Sequence, residues 1–267
     1  MEPPAPVRPA YDGAGVSNLI PALLGARDVA WLPAPVRDAQ TVVLLVIDGL
    51  GWEALTGRPH LLPELTALTG GPITTVAPST TASALTSITT GRPPAEHGVI
   101  GFRIVVDQIV LNVLSWHASS GRRTPEPFTV QRHPPFFGRE VDVVTKAEFA
   151  RTGFTEAHLR GARFHGWKAV SSLVEHCRAL AAARTPFVYA YYDGVDAVAH
   201  ARGLHDGFYD AELRFADRLV GDLRDALPEE AALAIVSDHG QVHVGREGWR
   251  DLDGIAGCFE RGSGDGR

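Results

Sequence analysis

The chain has little cysteine, no excess of basic residues and no long apolar run. Its 267 residues include two cysteines, Cys177 and Cys258, which are too few for a disulfide framework and match no zinc-motif spacing. The formal net charge of −6 provides no basic surface for a nucleic acid polymer. No stretch approaches the roughly 18 apolar residues that a membrane-spanning helix needs. Composition therefore predicts neither nucleic acid nor membrane as a partner.

The first residues also lack the basic and apolar segments of a secretory signal peptide. We therefore expect a cytoplasmic protein. With 45% hydrophobic residues, the chain can bury a substantial core as one α/β domain over residues 1–267.

Three aliphatic stretches have the pattern of parallel strands buried on both faces: residues 41–47, 186–192 and 231–237. Each stretch ends at a carboxylate, namely Asp48, Asp193 and Asp238. Ligands of open α/β sheets bind just beyond the carboxyl ends of the strands. Turn formation alone would also explain an isolated Asp at such a position, but three such ends on one sheet edge favour a metal site.

Further candidate ligands follow the second and third strands. Asp196 and His200 have i,i+4 spacing, so one helical turn places both side chains on the same face. His239 directly follows Asp238, and adjacent side chains leaving a strand can diverge toward two ions. Asp193 has the alternative role of capping the turn.

A threonine-rich segment after Pro78 predicts a helix that begins near Ser79 or Thr80 and ends at Gly91. Hydroxyl side chains at a helix start are ordinarily N-caps. The same position also favours a bound anion such as phosphate, and a nearby metal can convert a hydroxyl into a nucleophile. Small residues flank Thr81 and leave room for a ligand.

Residues 103–165 differ in composition, with short strand-like stretches followed by a segment rich in Pro, Arg and aromatic residues. We expect this segment to be an insert over the active-site edge, where substrate selection takes place. Its Arg122, Arg123, Arg132 and His133 are either solvated loop charges or contacts for a phosphorylated substrate. His97, in the loop before the insert, is either a ligand or a histidine that braces that loop, and we favour the bracing role.

The sequence resembles the alkaline phosphatase superfamily, specifically its nucleotide pyrophosphatase/phosphodiesterase branch, from about residue 40 to residue 245. Four motifs carry this resemblance: Val46-Ile-Asp48-Gly, Pro78-Ser-Thr-Thr81 running to Gly91 and His97-Gly98, Asp193-Gly-Val-Asp196-Ala-Val-Ala-His200, and Ser237-Asp238-His239-Gly. It implies a three-layer sandwich with a mostly parallel central sheet, helices on both faces and a small insert.

The resemblance also implies a threonine nucleophile and two zinc ions. By motif position the nucleophile is Thr81, with Thr80 as the alternative if the register shifts by one residue. Asp48, Thr81, Asp238 and His239 would surround one zinc, and Asp196 and His200 would hold the other.

Two departures from the family pattern accompany the resemblance. The second zinc normally has a further histidine far downstream, and His243 lies too close to match it, so the C-terminal part of the fold is expected to be missing. The family often has an asparagine after the His-Gly loop, where this chain has Gly101-Phe102; Asn112 is a possible substitute.

The leading hypothesis is a metal-dependent hydrolase of phosphodiester or pyrophosphate bonds, acting on a small-molecule phosphodiester or nucleotide. The alternative is an impaired or truncated relative that binds metal or nucleotide without turnover. Within the same superfamily, a phosphomonoesterase and a phosphonoacetate hydrolase are further alternatives. A sulfatase would require a Cys or Ser in place of Thr81, and a phosphoglycerate mutase usually has Ser there, so both are less favoured.

Overall fold

A computed structural model of the chain describes residues 7–25, 29–118, 122–245 and 248. Five strands form one parallel sheet in the spatial order β6-β5-β7-β1-β8. Their bounds are β1 Thr41–Ile47, β5 Asp142–Lys146, β6 Arg163–Trp167, β7 Phe187–Tyr192 and β8 Ala231–Val236. The three strands predicted from aliphatic stretches are therefore present. The third, β8, is not buried on both faces as predicted, because it lies at the edge of the sheet and only Val236 in it is buried.

Strand β1 lies at the centre of the arrangement that positions the site. All seven of its residues are buried, as expected for an aliphatic strand with a neighbour on each side. Val46 is paired with Tyr191 of β7 and with Val236 of β8. This register brings the carboxyl ends of β7, β1 and β8 to the same edge of the sheet.

Helices cover both faces of the sheet, so the predicted three-layer α/β fold is confirmed. One face, with Val42, Leu44 and Val46, packs against residues of α1, α2, α5 and α8. The opposite face, with Val43 and Leu45, packs against α4, α9, α10 and α11. The helices are α1 Leu19–Leu24, α2 Ala34–Asp38, α3 Trp52–Gly57, α4 Pro63–Thr66, α5 Thr81–Thr90, α6 Pro94–His97, α7 Pro127–Val130, α8 Gly153–Leu159, α9 Val170–Ala182, α10 Gly194–Arg202 and α11 Gly207–Ala226.

The predicted insert is wrong in its second half. Residues 103–118 form a separate antiparallel sheet of β2 Arg103–Val106, β3 Ile109–Asn112 and β4 His117–Ala118. Strands β5 and β6, however, belong to the central sheet, and α8 between them packs on its core. Polar residues at the ends of β5 and the half-exposed edge position of β6 obscured the strand pattern in the sequence.

Helix α9 carries Cys177, whose thiol is buried in the core. Among the described residues, no helix has the length and apolar character to cross a membrane. Cys258 lies outside the described residues.

Candidate metal and nucleophile site

The predicted convergence of the strand ends is present. Asp48 follows β1, and Asp238 and His239 follow β8. Each of these three residues offers one ligand atom, and the three atoms all lie within 4.8 Å of one another. Among the described residues this is the one such group of His, Cys, Asp or Glu side chains.

The two carboxylates of this group are almost completely buried, with exposed fractions of 1% for Asp48 and 0% for Asp238. Asp238 Oδ1 accepts hydrogen bonds from the backbone N–H of Gly49 at 3.3 Å and of His239 at 3.0 Å. Asp238 Oδ2 is also buried but has no hydrogen-bond partner. Such an orphaned oxygen is costly unless a cation or donor joins it.

Burial is the main reason that the pKa values of both carboxyl groups are raised. The negative charges of Asp238 and Asp196 raise the pKa of Asp48 further. Like charges held together in a dry site strongly favour a positive partner. A divalent cation between Asp48 and Asp238 would remove this repulsion and satisfy the orphaned oxygen.

His239 presents one ring nitrogen to the carboxylates. Its Nε2 lies 3.3 Å from Asp48 Oδ1 and 3.6 Å from Asp238 Oδ2. Its Nδ1–H donates to the Gly240 carbonyl oxygen at 3.0 Å. A backbone acceptor at one ring nitrogen fixes the tautomer and frees the other nitrogen as a metal ligand.

The hydroxyl of Thr81 lies against the same group. Thr81 is the first residue of α5, and its Oγ1 is 3.1 Å from His239 Nε2 and 3.5 Å from Asp48 Oδ1. Thr80 occupies the N-cap position, but its side chain makes no capping hydrogen bond and its Oγ1 is buried without a partner. The structure therefore places Thr81, and not Thr80, beside the candidate ligands.

Asp196 and His200 form the predicted pair on one face of α10. His200 Nε2 lies 3.3 Å from Asp196 Oδ1, which is 4.0 Å from His239 Nε2. The backbone N–H of Asp196 donates to the Asp48 carbonyl oxygen at 3.1 Å, which fixes this pair beside the first group. The side chain of His200 is 42% exposed, compared with 15% for Asp196.

Close approach of loops explains the glycines after Asp48. Gly49 has φ +75°, and a Cβ added there would lie 2.9 Å from Gln241 Nε2 and 3.0 Å from Asp196 Cβ. A Cβ on Gly51 would lie 2.5 Å from Gly240 Cα. Both positions require glycine, so that the loops after β1 and β8 can meet over the ligands.

Three contacts at the site were not predicted from the sequence. The Tyr191 hydroxyl donates to Asp48 Oδ2, the Gln241 amide donates to Asp196 Oδ1 at 2.5 Å, and the Thr75 hydroxyl donates to the Asp238 carbonyl oxygen. Tyr191 is paired with Val46, two residues before Asp48. Only the register of β1 against β7 could have identified Tyr191 as a partner of Asp48. No local sequence pattern distinguishes Gln241.

Asp193 does not cap α10 with its side chain. Its Oδ2 instead accepts from Lys146 Nζ at 2.8 Å, across the neighbouring strand ends of β7 and β5. This ion pair is partly exposed, with side-chain exposures of 30% for Lys146 and 19% for Asp193. Asp193 therefore belongs to a separate contact beside the candidate metal ligands.

The remaining candidates have structural contacts. His97 braces its loop as predicted, because its ring contacts Ser87 Oγ at 2.8 Å and accepts from the Val99 N–H at 3.1 Å. Asn112 Oδ1 accepts from the backbone N–H of Ser115, within its own turn. In the insert, Arg123 pairs with an exposed glutamate.

The donor set fits a divalent metal ion. Carboxylate oxygens and imidazole nitrogen are zinc ligands in proteins, and one carboxylate oxygen here is buried with no other partner. Asp48, Asp238 and His239 would hold one ion, with Thr81 at its side. Asp196 and His200 supply two side chains for an adjacent position.

Comparison with known proteins identifies the family and the fold of the chain. The model of the family "Type I phosphodiesterase / nucleotide pyrophosphatase" matches residues 42–257. No curated protein matches the sequence significantly. Similar solved structures include murine ectonucleotide pyrophosphatase/phosphodiesterase 5, and phosphonoacetate hydrolase from Sinorhizobium meliloti 1021 in complex with phosphonoformate.

The murine protein has 18% sequence identity and a TM-score of 0.52, and its inactive threonine-to-alanine variant in complex with AMP has 15% and 0.54. The hydrolase has 19% identity and a TM-score of 0.50. The matches cover 75%, 75% and 76% of this chain and 57% of each relative. The chain thus shares their alkaline-phosphatase-like fold and spans less than two-thirds of their length. Because the family model matches most of the sequence, the chain belongs to the type I phosphodiesterase / nucleotide pyrophosphatase family.

Proposed function

We propose that this protein hydrolyses phosphodiester or pyrophosphate bonds of a small molecule, such as a nucleotide, with Thr81 as nucleophile and two zinc ions. The observation that carries the proposal is the position of Thr81 Oγ1, 3.1 Å from His239 Nε2 and 3.5 Å from Asp48 Oδ1. A hydroxyl beside buried carboxylates that favour a cation is suited to activation as an alkoxide.

The proposed ligands are divided between two positions. Asp48, Thr81, Asp238 and His239 would hold one zinc, and Asp196 and His200 would hold the other. When bound, the two ions would lower the pKa of the attacking hydroxyl and stabilise the oxygen of the leaving group.

Thr81 is also well placed to meet the substrate phosphate. The N–H groups in the first turn of an α-helix have no acceptor within the helix and attract anions. Thr81 starts α5, so its hydroxyl lies where these groups would orient a phosphoryl group. Attack by Oγ1 on phosphorus would break the bond to the leaving-group oxygen, which departs with its part of the substrate, and would leave the rest bound to Thr81 as a phosphothreonine ester. Attack by water on this phosphorus would break the bond to Oγ1, release the second product and regenerate the free threonine.

The relatives support the same chemistry. The inactive murine protein in complex with AMP has one threonine changed to alanine, and the bacterial hydrolase was solved with the small phosphonate phosphonoformate. The family description names both phosphodiesterase and pyrophosphatase activity.

The second candidate function is metal or nucleotide binding without turnover. It is favoured by the Asp196–His200 position, where His200 is 42% exposed and two side chains replace the three protein ligands usual for catalytic zinc. Zinc stoichiometry distinguishes the two candidates. About two ions per chain support the hydrolase, and one or none supports the binding protein.

The test is hydrolysis of bis-p-nitrophenyl phosphate by the zinc-loaded chain, with Thr81→Ala and Thr80→Ala compared in parallel. We expect Thr81→Ala to lower turnover on the order of 10⁴-fold, and chelator to abolish turnover until zinc is restored. Thr80→Ala is the matched control, because Thr80 Oγ1 has no partner. Loss of turnover in Thr80→Ala alone would reassign the nucleophile. A folded, zinc-loaded wild-type chain without turnover would support the binding function.

A further inference from the structure

The loop that leads to Thr81 is held by a segment near the start of the chain. This segment, residues 10–18, is called the N-terminal segment below. It lies outside residues 42–257, the part of the sequence that the family model matches. Its Gly15 forms an isolated parallel bridge with Thr74. The proposed nucleophile is therefore approached by a part of the chain that the family motifs do not include.

Thr74 is bound to the N-terminal segment through its backbone and its side chain. Its N–H donates to the Ala14 carbonyl oxygen at 2.9 Å, and its carbonyl oxygen accepts from the Val16 N–H at 2.9 Å. Its hydroxyl oxygen accepts from the Ala10 N–H at 2.8 Å. A Cβ on Gly15 would lie 2.7 Å from the Ala10 carbonyl oxygen and 3.3 Å from Thr74 Oγ1. Glycine therefore permits this close approach.

One side-chain amide gives the N-terminal segment its shape. Asn18 Nδ2 donates to the carbonyl oxygens of Tyr11 at 2.9 Å and of Gly13 at 2.8 Å, and to that of Ala10 at 3.4 Å. An asparagine that binds nearby backbone groups stabilises a turn in place of a helix or strand. These bonds fix the backbone of Tyr11.

Tyr11 extends the contact to the residues directly before the nucleophile. Its hydroxyl oxygen accepts from the Ala77 N–H at 3.1 Å. In the same loop, the Thr75 hydroxyl donates to the Asp238 carbonyl oxygen. The loop is thus bound to the N-terminal segment and to a residue that carries a candidate metal ligand. A displacement of a reacting group by about 1 Å can slow a reaction about 100-fold, so the order of this loop affects the attacking hydroxyl.

We propose that Tyr11 is a positioning residue of the reaction. Its hydroxyl holds the Ala77 N–H and thereby sets the position of Thr81 Oγ1 relative to the metal ligands. The inference rests on the proposed function, because Thr81 is the proposed nucleophile. Loss of the Tyr11 hydroxyl leaves Asp48 and Asp238 at their strand ends, so it should slow the chemical step without releasing metal.

The test compares the zinc-loaded full chain with its Tyr11→Phe and Tyr209→Phe variants. Tyr11 is 41% exposed, so its change to phenylalanine removes one oxygen without altering the core. Tyr209→Phe is the matched control, because it removes the same oxygen from α11, on the face of the sheet opposite to α5. Hydrolysis of bis-p-nitrophenyl phosphate measures kcat and KM, and metal analysis measures zinc stoichiometry. Hydrogen–deuterium exchange of residues 74–81 measures the order of the loop, and melting temperature verifies that each variant is folded.

We expect Tyr11→Phe to lower kcat about three- to tenfold, which corresponds to one ordinary hydrogen bond. KM and zinc stoichiometry should stay unchanged, and exchange in residues 74–81 should become faster. Tyr209→Phe should change neither kcat nor this exchange. An unchanged kcat, an unchanged exchange in this loop, or a fall in kcat that accompanies loss of zinc overturns the inference alone. A folded, zinc-loaded wild-type chain without turnover overturns the proposed function and the inference with it, so the two failures differ.

Discussion

The two candidate metal positions lie side by side but are built from different parts of the fold. Asp48 and Asp238 stand at the ends of adjacent strands and are at most 1% exposed. Asp196 and His200 lie on α10, and the His200 side chain is 42% exposed. Buried strand ends are held by the pairing of the sheet, whereas the helical pair depends on one helix end. The first position is therefore the more rigid of the two.

The two metal positions also differ in their electrostatic environment. Burial raises the pKa values of Asp48 and Asp238, and Asp238 retains an oxygen without a hydrogen-bond partner. Asp196 already has the Gln241 amide and the His200 ring as neighbours. A bound cation therefore stabilises the first position more than the second. Variants at the two positions should separate their contributions to zinc binding and turnover.

The largest effect is expected from Asp238→Asn. The amide oxygen can still accept from Gly49 and His239, but the charge that attracts the cation is lost. Zinc affinity at the first position and diester turnover should fall by more than the roughly 10–100-fold typical of an outer-shell change. The metal-free variant should melt at a higher temperature than the wild-type chain, because one buried charge has been removed. Unchanged zinc affinity would contradict this assignment of the first position.

A smaller effect is expected from His200→Ala. The first zinc should remain bound and the second should be lost, with turnover reduced about tenfold or more. His205→Ala is the matched control, since that histidine packs against His243. Metal analysis of the dialysed proteins measures the difference, and loss of both ions from His200→Ala would show that the two positions are not separable.

Tyr191→Phe is expected to weaken zinc binding at the first position by leaving Asp48 less firmly positioned. This change removes the hydroxyl that donates to Asp48 Oδ2 and keeps the buried ring. First-site zinc affinity should fall about 10–100-fold. Tyr189→Phe is the matched control, because the Tyr189 hydroxyl is buried without a partner. Its removal should preserve or raise stability. Equal zinc affinities in the two variants would show that Tyr191 does not position Asp48.

The smallest effect on either metal position is expected from His97→Gln, which should alter stability instead. Burial lowers the pKa of His97 to about 4, whereas a histidine in an unfolded chain titrates near about 6.5. Between these values the unfolded chain binds a proton that the folded chain does not, so this contribution to stability falls as the pH falls.

At pH 5 the wild-type chain should therefore have lost about 2 kcal/mol of stability through His97. The difference in unfolding free energy between wild type and His97→Gln should shrink by this amount from pH 7 to pH 5 in urea titrations. A constant difference would mean that His97 binds a proton equally well in the folded and unfolded chains, so that folding does not lower its pKa. Zinc stoichiometry at pH 7 should be the same in both proteins.

The sequence predicted the elements whose patterns are local. Aliphatic runs identified β1 and β7 because strands buried on both faces are apolar throughout, and β8 because it is aliphatic although it lies half-buried at the sheet edge. The i,i+4 spacing identified the Asp196–His200 pair because helical geometry depends on spacing alone. Strands β5 and β6 were assigned to the insert because polar residues and edge exposure hid their pattern.

By itself, then, the sequence determined the two strand ends that carry Asp48 and Asp238, the start of the helix that carries Thr81 and the glycines that follow Asp48. Tertiary structure alone decided which side chains complete and orient the site. Tyr191 reaches Asp48 across 143 residues of chain, and Gln241 reaches Asp196 across 45. Such contacts follow from strand register and loop packing, which depend on residues distant in the chain, whereas apolar runs and helical spacing depend on neighbouring residues.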